Sequence, residues 1–178
     1  MKKLPAWLAV IMLIVGLGLV APSAATAAPY CGISWGSLAK TSSATTYGHL
    51  TNVRAGKHAC FDRLVFDIKG KRAGYDVRYA SVYTEGKGDR VPLRGTDLRI
   101  IVKAPAYSNG KATYNPRNKA NIVNVQDFRT FRQVAWAGSF EGQTTIGLGV
   151  RSRLPFRAFT LNGPGSQTRL VIDVAHRW

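Results

Sequence analysis

The chain has 178 residues and carries 25 Lys+Arg against 9 Asp+Glu, a formal net charge of +16. Its apolar fraction of 46% is that of a globular protein, which excludes a chain disordered throughout. Two cysteines are too few for a disulfide-dense miniprotein or a zinc site of four thiolates.

The N-terminus reads Met1-Lys2-Lys3, then an apolar run from Leu4 to Val20, then Ala25-Thr26-Ala27. A positive start, an apolar middle and small residues at the end form a secretory signal peptide over residues 1–27, with cleavage expected after Ala27. The run is slightly long for such a signal, so an uncleaved membrane anchor is the alternative. A lipid anchor is not expected, because Ala28-Pro29-Tyr30 before Cys31 lacks the small residues that processing requires. Cleavage leaves 151 residues with 23 basic and 9 acidic side chains, or +14, since Lys2 and Lys3 depart with the signal. That length suits one exported domain, secreted and associated with the cell wall. In an oxidising compartment the two cysteines read as one disulfide, Cys31 to Cys60.

Residues 28–46 form a Gly/Ser/Thr-rich lead, with one helical turn expected around Trp35–Lys40. From residue 47 to 178 the hydrophobic period is two rather than 3.6. Leu64, Phe66 and Ile68 alternate with Arg63 and Asp67; Tyr75, Val77 and Tyr79 with Asp76 and Arg78; Leu98, Ile100 and Val102 with Arg99 and Lys103. The same holds for Ile146, Leu148 and Val150, and for Leu170, Ile172 and Val174. Turn residues bound these runs, as at Glu85-Gly86-Lys87-Gly88, Asn109-Gly110 and Asn162-Gly163-Pro164-Gly165. No amphipathic helices intervene. The pattern predicts an all-β fold, an antiparallel sandwich or barrel of about eight or nine strands. Residues 104–120 are the longest expected irregular stretch. Arg63-Leu64-Val65-Phe66-Asp67-Ile68 recurs as Arg169-Leu170-Val171-Ile172-Asp173-Val174. Either two strands converged on good β formers or the fold has two pseudo-symmetric halves.

That second hexamer follows Phe159-Thr160-Leu161-Asn162-Gly163-Pro164, and the two together resemble the AMIN domain. A wider set is more similar to the AMIN-like domain of secreted actinobacterial proteins. It comprises Cys31-Gly32-Ile33-Ser34-Trp35-Gly36-Ser37, Cys60-Phe61-Asp62-Arg63, Gly142-Gln143-Thr144-Thr145 and Gly147-Leu148-Gly149-Val150-Arg151. The resemblance implies a β-sandwich that targets proteins to the envelope, in several cases through peptidoglycan. It assigns no functional residue.

Candidate chemistry is sparse. Gly32-Ile33-Ser34-Trp35-Gly36 matches a nucleophile elbow, but no strand precedes it and no βαβ unit follows, so a tight turn packing Trp35 is expected. His49, His58 and His176 are scattered without metal-ligand spacing, so no metal site and no cofactor is expected. The carboxylates lie mostly near strand ends, where arginines are abundant. Asp62 and Asp67 fall on opposite faces of one strand.

The local candidate for ligand binding runs from Gly147 to Arg157. If Ile146, Leu148 and Val150 face the core, then Gly147, Gly149, Arg151 and Arg153 share the outer face. The glycines there permit close approach of a ligand, and the arginines can fork onto carboxylate or phosphate. The competing reading is a glycine-weakened strand whose arginines guard an edge. Phe156 and Arg157 lie just beyond Pro155, and Tyr107, Tyr114 and Trp136 offer stacking faces for sugar rings, with a buried anchor the equal alternative for Trp136. The functional expectation is a non-catalytic domain that binds an anionic envelope polymer, peptidoglycan or teichoic-type. The rivals are an envelope protein-interaction module and a small cell-wall hydrolase, which needs a concavity where two acids, or an acid and a histidine, meet. Nucleic acid is not an expected partner, given export and the absence of its binding motifs. A membrane is one only if the signal stays attached.

Overall fold

Alternation along Phe61–Lys69 places Leu64, Phe66 and Ile68 on one face of a strand and Arg63, Val65 and Asp67 on the other. The same logic organises the whole computed structural model, which describes residues 28–44 and 48–178. The expected signal segment and its cleavage site lie outside those residues. Eleven strands form: β1 (Lys40–Ser42), β2 (His49–Lys57), β3 (Phe61–Lys69), β4 (Gly74–Tyr79), β5 (Thr96–Lys103), β6 (Tyr107–Ser108), β7 (Lys111–Ala112), β8 (Phe131–Phe140), β9 (Gln143–Val150), β10 (Phe156–Asn162) and β11 (Gln167–Ala175).

They assemble into a five-stranded sheet of order β1-β4-β5-β9-β8, a four-stranded sheet of order β10-β11-β3-β2, and the β6-β7 hairpin. Every pairing is antiparallel. The two larger sheets pack face to face as a sandwich, and they do not close into a barrel. Leu64, Phe66, Ile68, Leu170, Ile172 and Val174 of one sheet and Val77, Leu98, Ile100, Ile146 and Leu148 of the other fill the space between, nearly all without solvent exposure. The Tyr75 hydroxyl crosses between the layers and donates to the Ala158 carbonyl at 2.9 Å. Burial raises the pKa of that phenol.

The two similar hexamers turn out to be neighbours in one sheet. Val65 sits opposite Val171, Arg63 opposite Asp173 and Asp67 opposite Arg169. An antiparallel pair of the same Arg-x-x-x-Asp sequence is self-complementary, since each arginine meets the other strand's aspartate.

Three local expectations are corrected. There is no helical turn at Trp35–Lys40: Gly36 has φ of +66°, its carbonyl accepts from Phe156 N at 2.9 Å, and the chain bends at Ser37 and Leu38 before entering β1. A single 3-10 turn forms earlier, at Tyr30–Gly32. Residues 104–120 are not wholly irregular, because Asn109 and Gly110, both at positive φ, fold β6 onto β7 in the tight hairpin turn that Asn-Gly favours. The face carrying Gly147 and Gly149 is closed by the protein's own segment 80–95. A Cβ on Gly149 would lie 2.3 Å from the Arg94 carbonyl oxygen, and one on Gly147 would lie 2.9 Å from Leu93. The glycines therefore allow a loop to lie directly on β9, which is buried on both faces.

The disulfide Cys31–Cys60 is present, with Cα atoms 6.2 Å apart. It fixes the lead against the β2–β3 turn and fits an extracellular location. Replacing both cysteines with serine is expected to cost about 3.5 kcal/mol of unfolding free energy, the loop-closure value for about 30 residues. Gly149→Ala is expected to cost about 1–3 kcal/mol by displacing Arg94. Chemical denaturation of the two variants against the parent checks both, and an unchanged midpoint for Gly149→Ala would mean that segment 80–95 does not seat on β9.

Candidate functional site

The outer face of the four-stranded sheet carries the densest cluster of chemistry. Strand register aligns Arg157 of β10, Asp173 of β11 and Arg63 of β3 in one row. Arg63 donates to both Asp173 oxygens, at 2.6 and 2.8 Å, and Arg157 Nε donates to Oδ2 at 2.8 Å. Asp173 is fully buried beneath the two guanidinium groups, which stay partly open to solvent. The hydrogen bonds that Arg63 donates to Asp173 raise the pKa of Arg63 against the opposing effect of burial.

Aromatic rings frame the row. The Arg157 guanidinium lies 4.4 Å from the Trp35 ring centre and 4.9 Å from that of Phe159, and Arg63 lies 5.3 Å from Phe61. Trp35 meets Phe61 edge-on at 5.5 Å. Below it the row Phe159, Val171, Val65 is apolar, and beneath that Asp67 accepts from Arg54 at 2.9 and 3.0 Å and from Asn52 at 3.3 Å. Burial pushes the Asp67 carboxyl up, but its hydrogen bonds from Arg54 prevail and hold it below the usual range.

The residues singled out in the sequence do not converge. Phe156 is fully buried, with Tyr79 edge-on at 5.6 Å; it is a core residue, because β10 begins there with Phe156 facing inward. Arg157 belongs to the outer row just described. Arg151 and Arg153 are exposed beyond the end of β9. Arg153 Nε donates to Ser37 Oγ at 3.1 Å, and its guanidinium lies 5.1 Å from the Tyr79 ring centre. Tyr107, whose hydroxyl accepts from Gly142 N at 3.2 Å, lies at the opposite end of β9, about 25 Å away at the usual rise per residue. Tyr114 packs on Trp136 at 5.7 Å, and both rings lie against the core. Burial raises the Tyr114 phenol.

An acid and a histidine do meet. His176 Nε2 lies 3.1 Å from Asp62 Oδ1 at a depression of about 350 Å³ that Lys57, His58, Asp127 and Arg129 also line. Asp62 is fully buried, and its other oxygen accepts from the backbone N–H groups of Thr130 and Phe131 at 2.6 and 3.2 Å. Both Asp62 oxygens are already engaged, and His176 Nδ1 has no hydroxyl or thiol to activate among the described residues. The pair is a clasp that holds the approach to β8 against β3 and the C-terminal residues. The Gly-x-Ser-x-Gly segment follows a 3-10 turn rather than a strand and supplies no nucleophile elbow. Among the described residues, no group of three or more His, Cys, Asp or Glu is placed to hold a metal, and no helix is long and apolar enough to cross a membrane.

A family model for the AMIN-like domain matches residues 48–176, nearly the whole sandwich. The chain belongs to this family. AMIN-like domains are in general non-catalytic, envelope-targeting modules. No curated protein and no solved structure matches the chain. In this AMIN-like domain the matched span contains Asp173, Arg63 and Arg157 but begins after Trp35, so the Cys31–Cys60 bridge adds an aromatic cap from outside it.

Asp173→Asn is expected to destabilise the domain by about 2–3 kcal/mol. That is less than a fully buried broken pair costs, because Arg63 and Arg157 can turn to solvent. Thermal melts compare it with Asp76→Asn, whose partner Arg78 is at the surface and whose loss is expected to lower the melting temperature far less.

Proposed function

We propose that this AMIN-like domain is an exported, non-catalytic module that binds the anionic polymers of the cell envelope. The observation that carries the reading is where the positive charge stands. Of the 23 cationic side chains in the described residues, only Arg54, Arg63, Arg78, Arg90, Arg157 and Arg169 lie within 4.0 Å of a carboxylate. The other 17 are not neutralised within the fold. Such a surface attracts polyanions over a Debye length of about 8 Å at physiological salt. Peptidoglycan carboxylates and teichoic-type phosphates are the polyanions an envelope-targeting domain meets outside the cytoplasm.

The outer face of the four-stranded sheet suits an extended glycan strand: aromatic rings interleaved with arginines offer stacking, and the guanidinium N–H groups not spent on Asp173 offer hydrogen bonds. A hydrolase would have to use Asp62 and His176, which the clasp already occupies.

Sedimentation with purified walls tests the reading. Binding is expected to fall about tenfold or more as ionic strength rises from tens to hundreds of millimolar. Absence of binding to every wall fraction, or binding indifferent to salt, would overturn it.

A further inference from the structure

We propose that Arg129, Arg151 and Arg177 form a discrete binding site for phosphate, which takes a phosphodiester-linked polymer at one end of the sandwich. The proposal deepens the envelope-polymer reading and rests on it for the identity of the polymer, though not for the phosphate chemistry. The three arginines come from separate connections: Arg129 precedes β8, Arg151 follows β9 and Arg177 follows β11. With Tyr30 and His176 they line a concavity of about 390 Å³ into which no carboxylate faces. None of the three guanidinium groups lies within 4.0 Å of an acid among the described residues.

Two of them are held in place by contacts that leave N–H groups to spare. Arg151 Nη2 donates to the carbonyl of His176, and the Arg177 guanidinium stacks 4.3 Å from the Tyr30 ring centre. Tyr30 is itself placed by the neighbouring disulfide. His176 lies on the wall of the same concavity. Nε2 faces Asp62, while Nδ1 is buried without a hydrogen-bond partner. The adjoining depression shares Arg129 and His176 and carries Asp127 on its wall, which leaves the Arg151–Arg177 side as the anion's seat.

Elsewhere in this protein, Arg78 or Arg54 serves as the principal fork on a partly exposed carboxylate. Three arginines converging on one concavity instead match a tetrahedral group with more acceptor oxygens and a charge that repeats along a chain. Bringing three like charges together without a counter-charge is unfavourable, and a bound phosphate relieves it.

Calorimetric titration of the purified protein with poly(glycerol phosphate), with pyrophosphate as the minimal probe, tests the site. The parent is expected to bind both. Arg151→Ala with Arg177→Ala is expected to weaken binding about tenfold or more, while Arg72→Ala with Lys87→Ala, exposed in other turns, leaves it near the parent value. If the alanine pair lowers the melting temperature, Arg151→Lys with Arg177→Lys decides. It keeps the charge but loses the forks, and is expected to restore less than half of the lost affinity.

Parental affinity in the alanine pair, equal losses in both alanine pairs, or no binding of either phosphate probe would overturn the site. Equally tight binding to phosphate-free peptidoglycan or to anionic phospholipid vesicles would also overturn it. The peptidoglycan result would leave the broader envelope reading standing. Conversely, phosphate binding that depends on Arg151 and Arg177, in a protein that sediments with no wall fraction, would keep the site and remove the envelope reading.

Discussion

The antiparallel pairing of β3 with β11 joins two copies of nearly one sequence, and the rest of the domain is arranged around that junction. Leu64, Phe66, Leu170 and Ile172 point inward from it and meet the five-stranded sheet, so the pair supplies much of the apolar core. Outward, the same register sets arginine across from aspartate at both ends, with Val65 and Val171 between. A slip of one residue would send the charges into the core and the aliphatic residues to the surface. Register and burial are thus specified together. The Arg63–Asp173 bond matters as much for choosing the alignment as for its net energy.

That junction also explains how a chain so short of acids uses them. Asp173 and Asp67 draw in Arg63, Arg157, Arg54 and Arg169, while Asp76 and Asp97 take Arg78 and Arg90. The carboxylates that form close pairs are thereby committed to holding arginines in fixed poses. What remains is a surplus of one sign, distributed over turns and strand ends and supported by a rigid two-layer frame. A structure that fixes some arginines with its few acids and leaves the others open presents ordered positive charge rather than a flexible basic tail.

Strands with one buried face were legible in the sequence because period-two alternation is the direct imprint of that arrangement. Where alternation fails, a bulge or a second cover is the cause. β2 shifts register between Leu50 and Asn52, and β8 shifts twice, near Arg132 and Ala137, so their apolar residues do not fall on every second position. β9 alternates cleanly, yet its outer face is covered by segment 80–95, which has no periodic signature of its own. The repeated hexamer was visible, but its meaning required knowing that the copies touch. Phe156 was misplaced because Pro155 hides the start of β10. Arg129 and Arg177 carry no signal, being separated by 48 positions and brought together only by the order of strands in space.

Tyr30 and Trp178 both lie close to the arginines beyond β9 and β11, since Tyr30 stacks on Arg177 and the Trp178 indole N–H donates to the Arg153 carbonyl at 3.1 Å. Tension applied to the chain ahead of Tyr30 would pass through the covalent bridge at Cys31 into the turn beside β3, without first peeling any strand from its neighbours. The lead is thereby shielded from unravelling, and a pull along that direction loads β3, an inner strand of the four-stranded sheet. For a molecule tethered by that end while its face grips a stiff polymer mesh, the bridge acts as a strain relief.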